Sequence, residues 1–224
     1  MIRLHLEIDD LRSHHYRVTM TLPHPAPRQR LSLPAWIPGS YLVREFARHL
    51  SGLKASQGRR EVALTQIDKH TWEADCSGRG ALTLSWRVYA FDSSVRCAWL
   101  DVQRGFFNGT GVFLRAEGRE ADEHRVTLGA LPEGWQVATG LPEVAPGEWS
   151  APDYDALIDH PFELGAFWRG RFTACGTEHE FVVAGALPGF DGERLLADTK
   201  KICEAQIRFW HGRDDGCDPP PFER

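Results

Sequence analysis

The sequence predicts a mainly β fold, an antiparallel β-sandwich or saddle-like β domain, followed by one α-helix. Apolar and polar residues alternate with a period of two through most of the chain up to about residue 185, as in strands with one buried face. Glycine and proline turns recur between these segments, as they do between antiparallel strands. After about Pro188 the apolar period becomes that of a helix. These three observations together favour the mainly β class over the others.

The strands are expected wherever the alternation is clear. The second strand should end at the proline-rich stretch from Pro23 to Pro27, because proline cannot donate to a strand ladder. In chain order, the segments expected to be strands are 2–8, 16–22, 62–67, 71–75, 82–88, 112–115, 125–128, 166–174 and 178–184.

Two helices are expected. A short one should occupy 153–159, with Pro152 before it and Pro161 after it. A longer one should run over 191–211, capped by Asp191 at its start and followed by Gly212. Its apolar residues form a broad face. The chain therefore divides into an amino-terminal β domain, 1–187, and a second segment, 188–224.

Composition and charge exclude several function classes. The net charge is -5 and the sequence pI is near 6.1, which argues against nucleic acid or an anionic membrane as a partner. No apolar run is long enough to span a bilayer. The amino terminus alternates from its first residues and is unlike a signal peptide. We therefore expect a cytoplasmic protein without a membrane partner, whose five widely spaced cysteines are free thiols.

The segment from Trp36 to Phe46 is the most unusual in the chain. Pro38-Gly39 predicts a type II turn, followed directly by Tyr41 and Arg44, with Trp36 available to anchor the corner. Rigid loops with polar groups often carry function. Loops of this composition are more often buried structural corners, so the residues indicate a site without naming a reaction.

The sequence contains no complete catalytic or metal-binding motif. His179-Glu180 resembles the start of the His-Glu-x-x-His zinc motif, but position 183 is Val and the segment is a predicted strand. The chain has no Gly-x-Ser-x-Gly elbow, no P-loop and no dinucleotide fingerprint. We therefore expect neither a catalytic residue nor a metal ligand in this chain.

Segment 36–49 resembles the hallmark of the glycyl aminopeptidase family of zinc metallopeptidases. Segments 107–113, 131–139 and 154–165 resemble further family segments in the same order, and 220–224 resembles the start of a strand of the family's catalytic domain. Members of the family have an amino-terminal β domain similar in outline to that of aminopeptidase N. A thermolysin-like catalytic domain follows, with the zinc ligands.

The resemblance implies that the chain is a non-catalytic amino-terminal region, truncated soon after the start of the thermolysin-like domain. The zinc belongs to the parent enzyme, which would remove amino-terminal Gly or Ala from peptides. The β domain would support its own catalytic domain and wall the cleft. The residues that we expect to face the peptide substrate are Tyr41, Arg44, Asn108 and Glu163. Each also has a structural alternative, Asn108 in a turn, and Glu163 and Arg44 as an internal ion pair or as exposed charges.

Two questions stay open at this point. The alternative function is a self-standing β-sandwich module that binds a peptide or a carbohydrate through exposed Trp and Tyr. The apolar face of helix 191–211 also needs a cover, since exposing several large apolar side chains is unfavourable. We expect this helix to fold back on the β domain, to pair with another copy of the chain, or to fray.

Overall fold

The computed structural model describes residues 1–76, 79–213 and 216–220. The chain forms two compact units, Met1–Leu164 and Gly165–Arg224. The last of the segments that carry the resemblance, 220–224, lies outside the described residues except for Pro220.

The first unit is built of strands and short helical turns. Its strands, in chain order, are β1 (Ile2–Asp10), β2 (His15–Leu22), β3 (Arg28–Ser32), β4 (Leu50–Gln57), β5 (Arg60–Glu61), β6 (Leu64–Gln66), β7 (Thr71–Asp75), β8 (Leu82–Tyr89), β9 (Ala98–Leu100), β10 (Arg104–Phe107), β11 (Arg115–Ala116), β12 (His124–Leu128), β13 (Gln136–Thr139), β14 (Glu143–Ala145), β15 (Glu148–Ala151) and β16 (Phe162–Gly165). A 3-10 turn (Phe46–His49) and the helices α1 (Gly109–Val112) and α2 (Tyr154–Asp159) complete it.

These strands form three sheets. The largest has eight strands in the order β14-β15-β12-β1-β2-β8-β4-β5, and the others have four strands each, β13-β16-β10-β9 and β11-β3-β7-β6. The central pairs β1–β2, β2–β8 and β4–β8 are antiparallel, whereas β1 and β12 pair in parallel. The mainly β, predominantly antiparallel prediction is thus confirmed, with one parallel pair that alternation alone does not reveal.

One continuous core lies between the sheets. The inner face of the eight-stranded sheet supplies the alternate residues that the sequence marks as apolar, and the four-stranded sheets supply the opposite side. The fully or nearly fully buried residues of β1, β2 and β8 are Ile2, Leu4, Leu6, Tyr16, Val18, Met20, Leu22, Leu82, Leu84, Trp86 and Val88. Burying each such side chain contributes about 1.5–3 kcal/mol, so this face fixes the register of the whole sheet.

Three buried aromatic side chains use their polar atoms to hold other segments of this unit. The Tyr16 hydroxyl donates to the carbonyl of Trp99 at 3.0 Å, and the Trp86 indole N–H donates to the carbonyl of Val112 at 3.0 Å. The Tyr154 hydroxyl donates to the carbonyl of Phe113 at 2.8 Å. The irregular backbone around α1 is thereby satisfied inside the core, where an unpaired carbonyl is costly.

Most local predictions for this unit are confirmed, but the predicted strand 62–67 is observed only as β6, and one strand is wrong. Asp153 caps α2 by accepting a hydrogen bond from the Ala156 backbone N–H at 2.7 Å. The predicted strand 112–115 instead contains the end of α1 and the start of the two-residue strand β11. Asn108 caps a helical turn at this point. The residues from Gly109 to Leu114 are all buried, and an unbroken buried run is compatible with either a strand or a helix.

The second unit is a hairpin with a long helix. Its elements are β17 (Phe167–Ala174), β18 (Thr177–Ala184), α3 (Gly192–His211), β19 (Gly212–Arg213) and β20 (Gly216–Cys217). As predicted, Asp191 caps α3, accepting from the Arg194 N–H at 2.9 Å. The boundary between the two compact units lies between Leu164 and Gly165, whereas the change of apolar period indicates a boundary at 187/188. The earlier boundary arises because the β17–β18 hairpin packs with α3.

The helix α3 covers only part of its apolar face within this unit. Ile207 is buried, and Leu196 lies against Gly170 of β17, where a β-carbon would clash with it. Ile202, Phe209 and Trp210 remain 63–77% exposed. Pairing with a second copy therefore stays a prediction. Gly212 does not take the left-handed conformation expected of a helix-ending glycine, since its φ is -71°. Glycine fits there because a β-carbon would clash with the Arg208 carbonyl.

The expectation that all cysteines are free thiols is wrong. Cys175, in the β17–β18 turn, forms a disulfide with Cys217 of β20, with their Cα atoms 5.8 Å apart. Cys76, Cys97 and Cys203 are free. A pairing across 42 residues cannot be deduced from cysteine spacing. Disulfides persist mainly in oxidising compartments. The cysteines therefore no longer support the cytoplasmic location, which stays a prediction.

None of the helices in the described ranges has the length and apolar character that crossing a membrane requires.

A buried histidine gives the first unit a pH-dependent stability. His124 of β12 is 1% exposed and lies beside Tyr154, with 5.9 Å between ring centroids. Burial lowers the pKa of His124, and this outweighs the neighbouring Asp122 and Asp153 carboxylates, which raise it. The folded chain therefore resists protonation of this ring.

We predict that the unfolding free energy falls as the pH is lowered from about 6.5 towards 5. Below the ordinary histidine pKa of about 6.5 the unfolded chain binds a proton that folded His124 does not. Urea unfolding at a series of pH values measures this loss. His124→Leu should flatten the profile between pH 7 and 5, whereas the half-exposed control His70→Gln should keep most of the wild-type slope. An unchanged slope in His124→Leu would contradict the assignment.

Candidate functional site

The segment Trp36–Phe46 folds as a rigid corner. The Ser40 N–H donates to the Ile37 carbonyl at 3.2 Å, and Gly39 has a φ of 76°, so the predicted type II turn is formed. The Arg44 N–H then donates to the Ala35 carbonyl at 2.6 Å and closes the loop. The corner is thus held by its own backbone.

The side chains of this corner point outwards. Tyr41 is 96% exposed, Val43 71%, Leu42 62% and Trp36 58%. The expectation that Trp36 anchors the corner is therefore wrong. The anchor is Phe46, which is 3% exposed and belongs to the core. Four exposed apolar side chains on a fixed backbone form a patch of the kind that marks interaction sites.

Asn108 starts α1. Its side-chain oxygen accepts hydrogen bonds from the Thr110 N–H at 3.0 Å and from the Thr110 hydroxyl at 2.6 Å. A β-carbon on the next residue, Gly109, would lie 3.0 Å from the Leu157 carbonyl oxygen, so α2 approaches this turn closely. The Asn108 side chain is thus occupied as a helix cap, which is its structural alternative.

Arg96 joins the corner to the Asn108 turn. Its guanidinium donates to the Gly39 carbonyl at 3.4 Å, and its own carbonyl oxygen lies 3.0 Å from the Thr110 hydroxyl oxygen. The Asn108 N–H donates to the neighbouring Cys97 carbonyl at 2.9 Å. We call these three segments, 36–46, 92–97 and 108–112, the loop cluster. It contains Tyr41, Arg44 and Asn108.

Sequence reasoning missed Arg96. The only signal was its place between two predicted strands, and nothing local indicates that its side chain reaches a turn 57 residues away.

Two charged side chains of the loop cluster, Arg44 and Asp92, form hydrogen bonds within it. The Arg44 Nε donates to the Ser40 hydroxyl at 3.2 Å. The Ser94 backbone N–H donates to Asp92 and holds the pKa of Asp92 below its ordinary value. Burial raises the pKa of the Cys97 thiol to about 11. Cys97 is therefore protonated at neutral pH and is not an activated nucleophile.

Glu163 lies outside the loop cluster. Its Oε2 accepts from the Arg104 guanidinium at 2.9 Å, whereas its buried Oε1 has no hydrogen-bond partner among the described residues. Burial raises the pKa of Glu163, although Arg104 opposes the shift. The suggested ion pair between Glu163 and Arg44 is therefore wrong, because Arg104 on the adjacent strand β10 takes that place.

The described residues contain no group of three or more His, Cys, Asp and Glu side chains placed to hold a metal ion. The loop cluster offers exposed apolar side chains on a rigid backbone, which suit contact with another protein surface.

The sequence model of the peptidase M61 amino-terminal domain matches residues 3–166. The chain belongs to the peptidase M61 amino-terminal domain family. The matched residues include the whole loop cluster, Arg104 and Glu163. No curated protein sequence matches the chain.

Solved structures extend the comparison beyond this domain. The chain is similar to an aminopeptidase N family protein from Idiomarina loihiensis, with 39% identity and a TM-score of 0.89. The match covers 94% of this chain and 37% of that protein, so this M61-family chain spans well under half of its relative's length.

More distant structures share the fold alone. An M1 zinc metallopeptidase variant from Deinococcus radiodurans bound to a Tyr-Ser-Ala substrate has a TM-score of 0.52 and 15% identity. That match covers 97% of this chain and 54% of the enzyme. The same enzyme variant in another structure has a TM-score of 0.51 and 16% identity over the same shares.

We predict that removing Arg104 lowers the free energy of unfolding more than removing the charge of Glu163 does. Arg104→Ala leaves a mostly buried carboxylate without its cation and should cost about 1–3 kcal/mol of unfolding free energy at pH 7. Glu163→Gln leaves an acceptor in place and should cost less than about 1 kcal/mol. Urea unfolding measures both.

The double variant is the control. Arg104→Ala combined with Glu163→Gln should be more stable than Arg104→Ala alone, because the unpaired charge is gone. The Arg104→Ala penalty should also shrink as Glu163 becomes protonated at acidic pH. Equal costs for the two single variants would show that the pair has no electrostatic role.

Proposed function

We propose that the chain is the non-catalytic amino-terminal domain of a zinc aminopeptidase that removes amino-terminal Gly or Ala from peptides. In this proposal it supports the catalytic domain and walls the substrate cleft. The observation that carries the proposal is the match to the Idiomarina aminopeptidase N family protein, of which this chain spans 37%. The Gly or Ala preference rests on the resemblance of segment 36–49 alone.

The zinc belongs, in this proposal, to the part of the enzyme outside this chain. The described residues present no ligand set that fits a zinc ion, and the thiol best placed in the loop cluster, Cys97, is held protonated by burial. We assign to this chain the support of the catalytic domain and the covering of its cleft.

The loop cluster is the surface that we assign to contact with the catalytic domain. Tyr41, Leu42 and Val43 are apolar in large part and strongly exposed, yet the backbone that carries them is pinned by hydrogen bonds. A fixed patch loses little conformational entropy on docking. The polar candidates Arg44 and Asn108 hold this patch in shape, and Tyr41 is the candidate that remains free to face a substrate or a domain.

Glu163 is retained as a second substrate-facing candidate. Its Oε1 is buried without a hydrogen-bond partner among the described residues and its Oε2 is paired with Arg104, so this candidate rests on the resemblance alone. Of the two functions considered from the sequence, the family membership supports the peptidase domain over the self-standing binding module.

The test compares the chain alone with the longer enzyme that contains it, using Gly- and Ala-p-nitroanilide with added zinc. We predict turnover by the longer enzyme only, abolished by a chelator and restored by zinc. Turnover by residues 1–224 alone, lost with a chelator, would contradict the proposal.

The role of the loop cluster needs its own variant in the longer enzyme. Replacing Tyr41, Leu42 and Val43 together by Ser should lower kcat/KM by about tenfold or more, because domain contact is lost. Val102→Ser is the matched control, since Val102 is 65% exposed but lies in the β9–β10 turn. Equal activity of both variants would remove the loop cluster from the function.

A further inference from the structure

A cleft opens where the chain passes from one sheet to another. β5 pairs with β4 at Ser56 and Gln57, and the Val62 N–H still donates to the Ala55 carbonyl at 2.9 Å. The chain then leaves the eight-stranded sheet, and β6 pairs with β7 of a four-stranded sheet. Beyond this crossing point β4 and β6 belong to different sheets.

Both edges are open along the cleft. β4 pairs with β8 at Leu50, Ser51 and Lys54, and among the described residues no strand pairs with its other side there. β6 is the outermost strand of its own sheet. Open strand edges are templates for the pairing of another extended chain.

The hydrogen bonds of β6 show which of its residues face the opening. The Ala63 carbonyl accepts from Asp75, and the Ile67 N–H donates to Thr71, so these two residues bond to the β7 side. Because bonding direction alternates along a strand, the backbone groups of Leu64 and Gln66 point to the open edge. A strand added here would bond to those two residues.

The space between the edges is a cavity of about 440 Å³. Leu50, Leu53, Leu64 and Trp72 give it an apolar lining, and Lys69 lies at its rim. This volume is within the range of sites that hold a small ligand or a few side chains. We call it the β4–β6 cleft.

The charge at the rim favours an acidic partner. The Lys69 ammonium lies 3.4 Å from Glu45, but the two side chains are 79% and 51% exposed. Such a pair is weak because water screens it, so a carboxylate bound in the cleft can share the Lys69 charge.

We propose that the β4–β6 cleft binds an extended peptide segment, which adds as a strand to the edge of β6 and places apolar side chains on Leu53, Leu64 and Trp72. Main-chain hydrogen bonds to Leu64 and Gln66 align the segment, the apolar lining selects alternate residues, and Lys69 selects an acidic residue or a carboxyl end. This mode is strand addition. It is independent of the aminopeptidase assignment.

The geometry favours a peptide over a second copy of the chain. The open edge of β6 is three residues long, and β4 is interrupted opposite it by an irregularity between Ser51 and Lys54 that contains Gly52 at a φ of 63°. Two such short, bent edges cannot build the area of about 1,000 Å² or more that a stable dimer needs.

The experiment titrates the isotopically labelled chain with a synthetic heptapeptide of alternating valine and threonine that ends in aspartate, followed by amide NMR. We expect saturable shifts at Ser51–Leu53 and Leu64–Gln66. Gln66→Pro removes the outward N–H without breaking a bond to β7, so the affinity should fall about tenfold or more. The matched control Gln66→Thr keeps that N–H and should bind like the parent.

Three outcomes would overturn the proposal. These are shifts confined to other parts of the chain, binding that is unchanged in Gln66→Pro, and concentration-dependent pairing of the protein through the cleft without peptide. Unchanged amide spectra of free Gln66→Pro outside β6 would show that the variant is folded. Lys69→Gln should lower the affinity for the peptide that ends in aspartate more than the affinity for a peptide whose carboxyl end is an amide.

Discussion

The central strands of the eight-stranded sheet share one apolar face, and the rest of the first unit depends on covering it. Alternate residues of three neighbouring strands are fully or almost fully buried, for example Ile2, Val18 and Trp86. A slip of one residue in any of these strands would expose its whole apolar set to water. The four-stranded sheets and the short helices satisfy this constraint by closing over that face.

This constraint also explains why the loop cluster is rigid. The core reaches into the irregular segments through Trp86, which bonds the end of α1, and through Phe46, which anchors the corner. Arg96 then ties the corner to the Asn108 turn. The backbone is held from inside, so Tyr41 and its neighbours can stay exposed without loss of order. In an isolated domain such a patch is unfavourable, but in a domain that docks it is useful.

Features fixed by local sequence could be predicted, and those fixed by distant partners could not. The alternating strands, the Asp153 and Asp191 caps and the type II turn at Gly39 depend on a few adjacent residues. By contrast, the Cys175–Cys217 disulfide and the Arg104 partner of Glu163 depend on which strands lie side by side. The exposure of Trp36 was missed for the same reason, because burial is decided by what packs over a residue. Of the candidate site, the sequence located the corner but not Arg96.

The central claim is that the loop cluster is a docking surface for the catalytic part of a larger peptidase. The most direct measurement is hydrogen–deuterium exchange of the backbone amides from Ser40 to Arg44, in residues 1–224 alone and in the longer enzyme. The account predicts that these amides exchange at least about tenfold more slowly in the longer enzyme, while those of the β9–β10 turn do not change. Equal exchange in both proteins would contradict it.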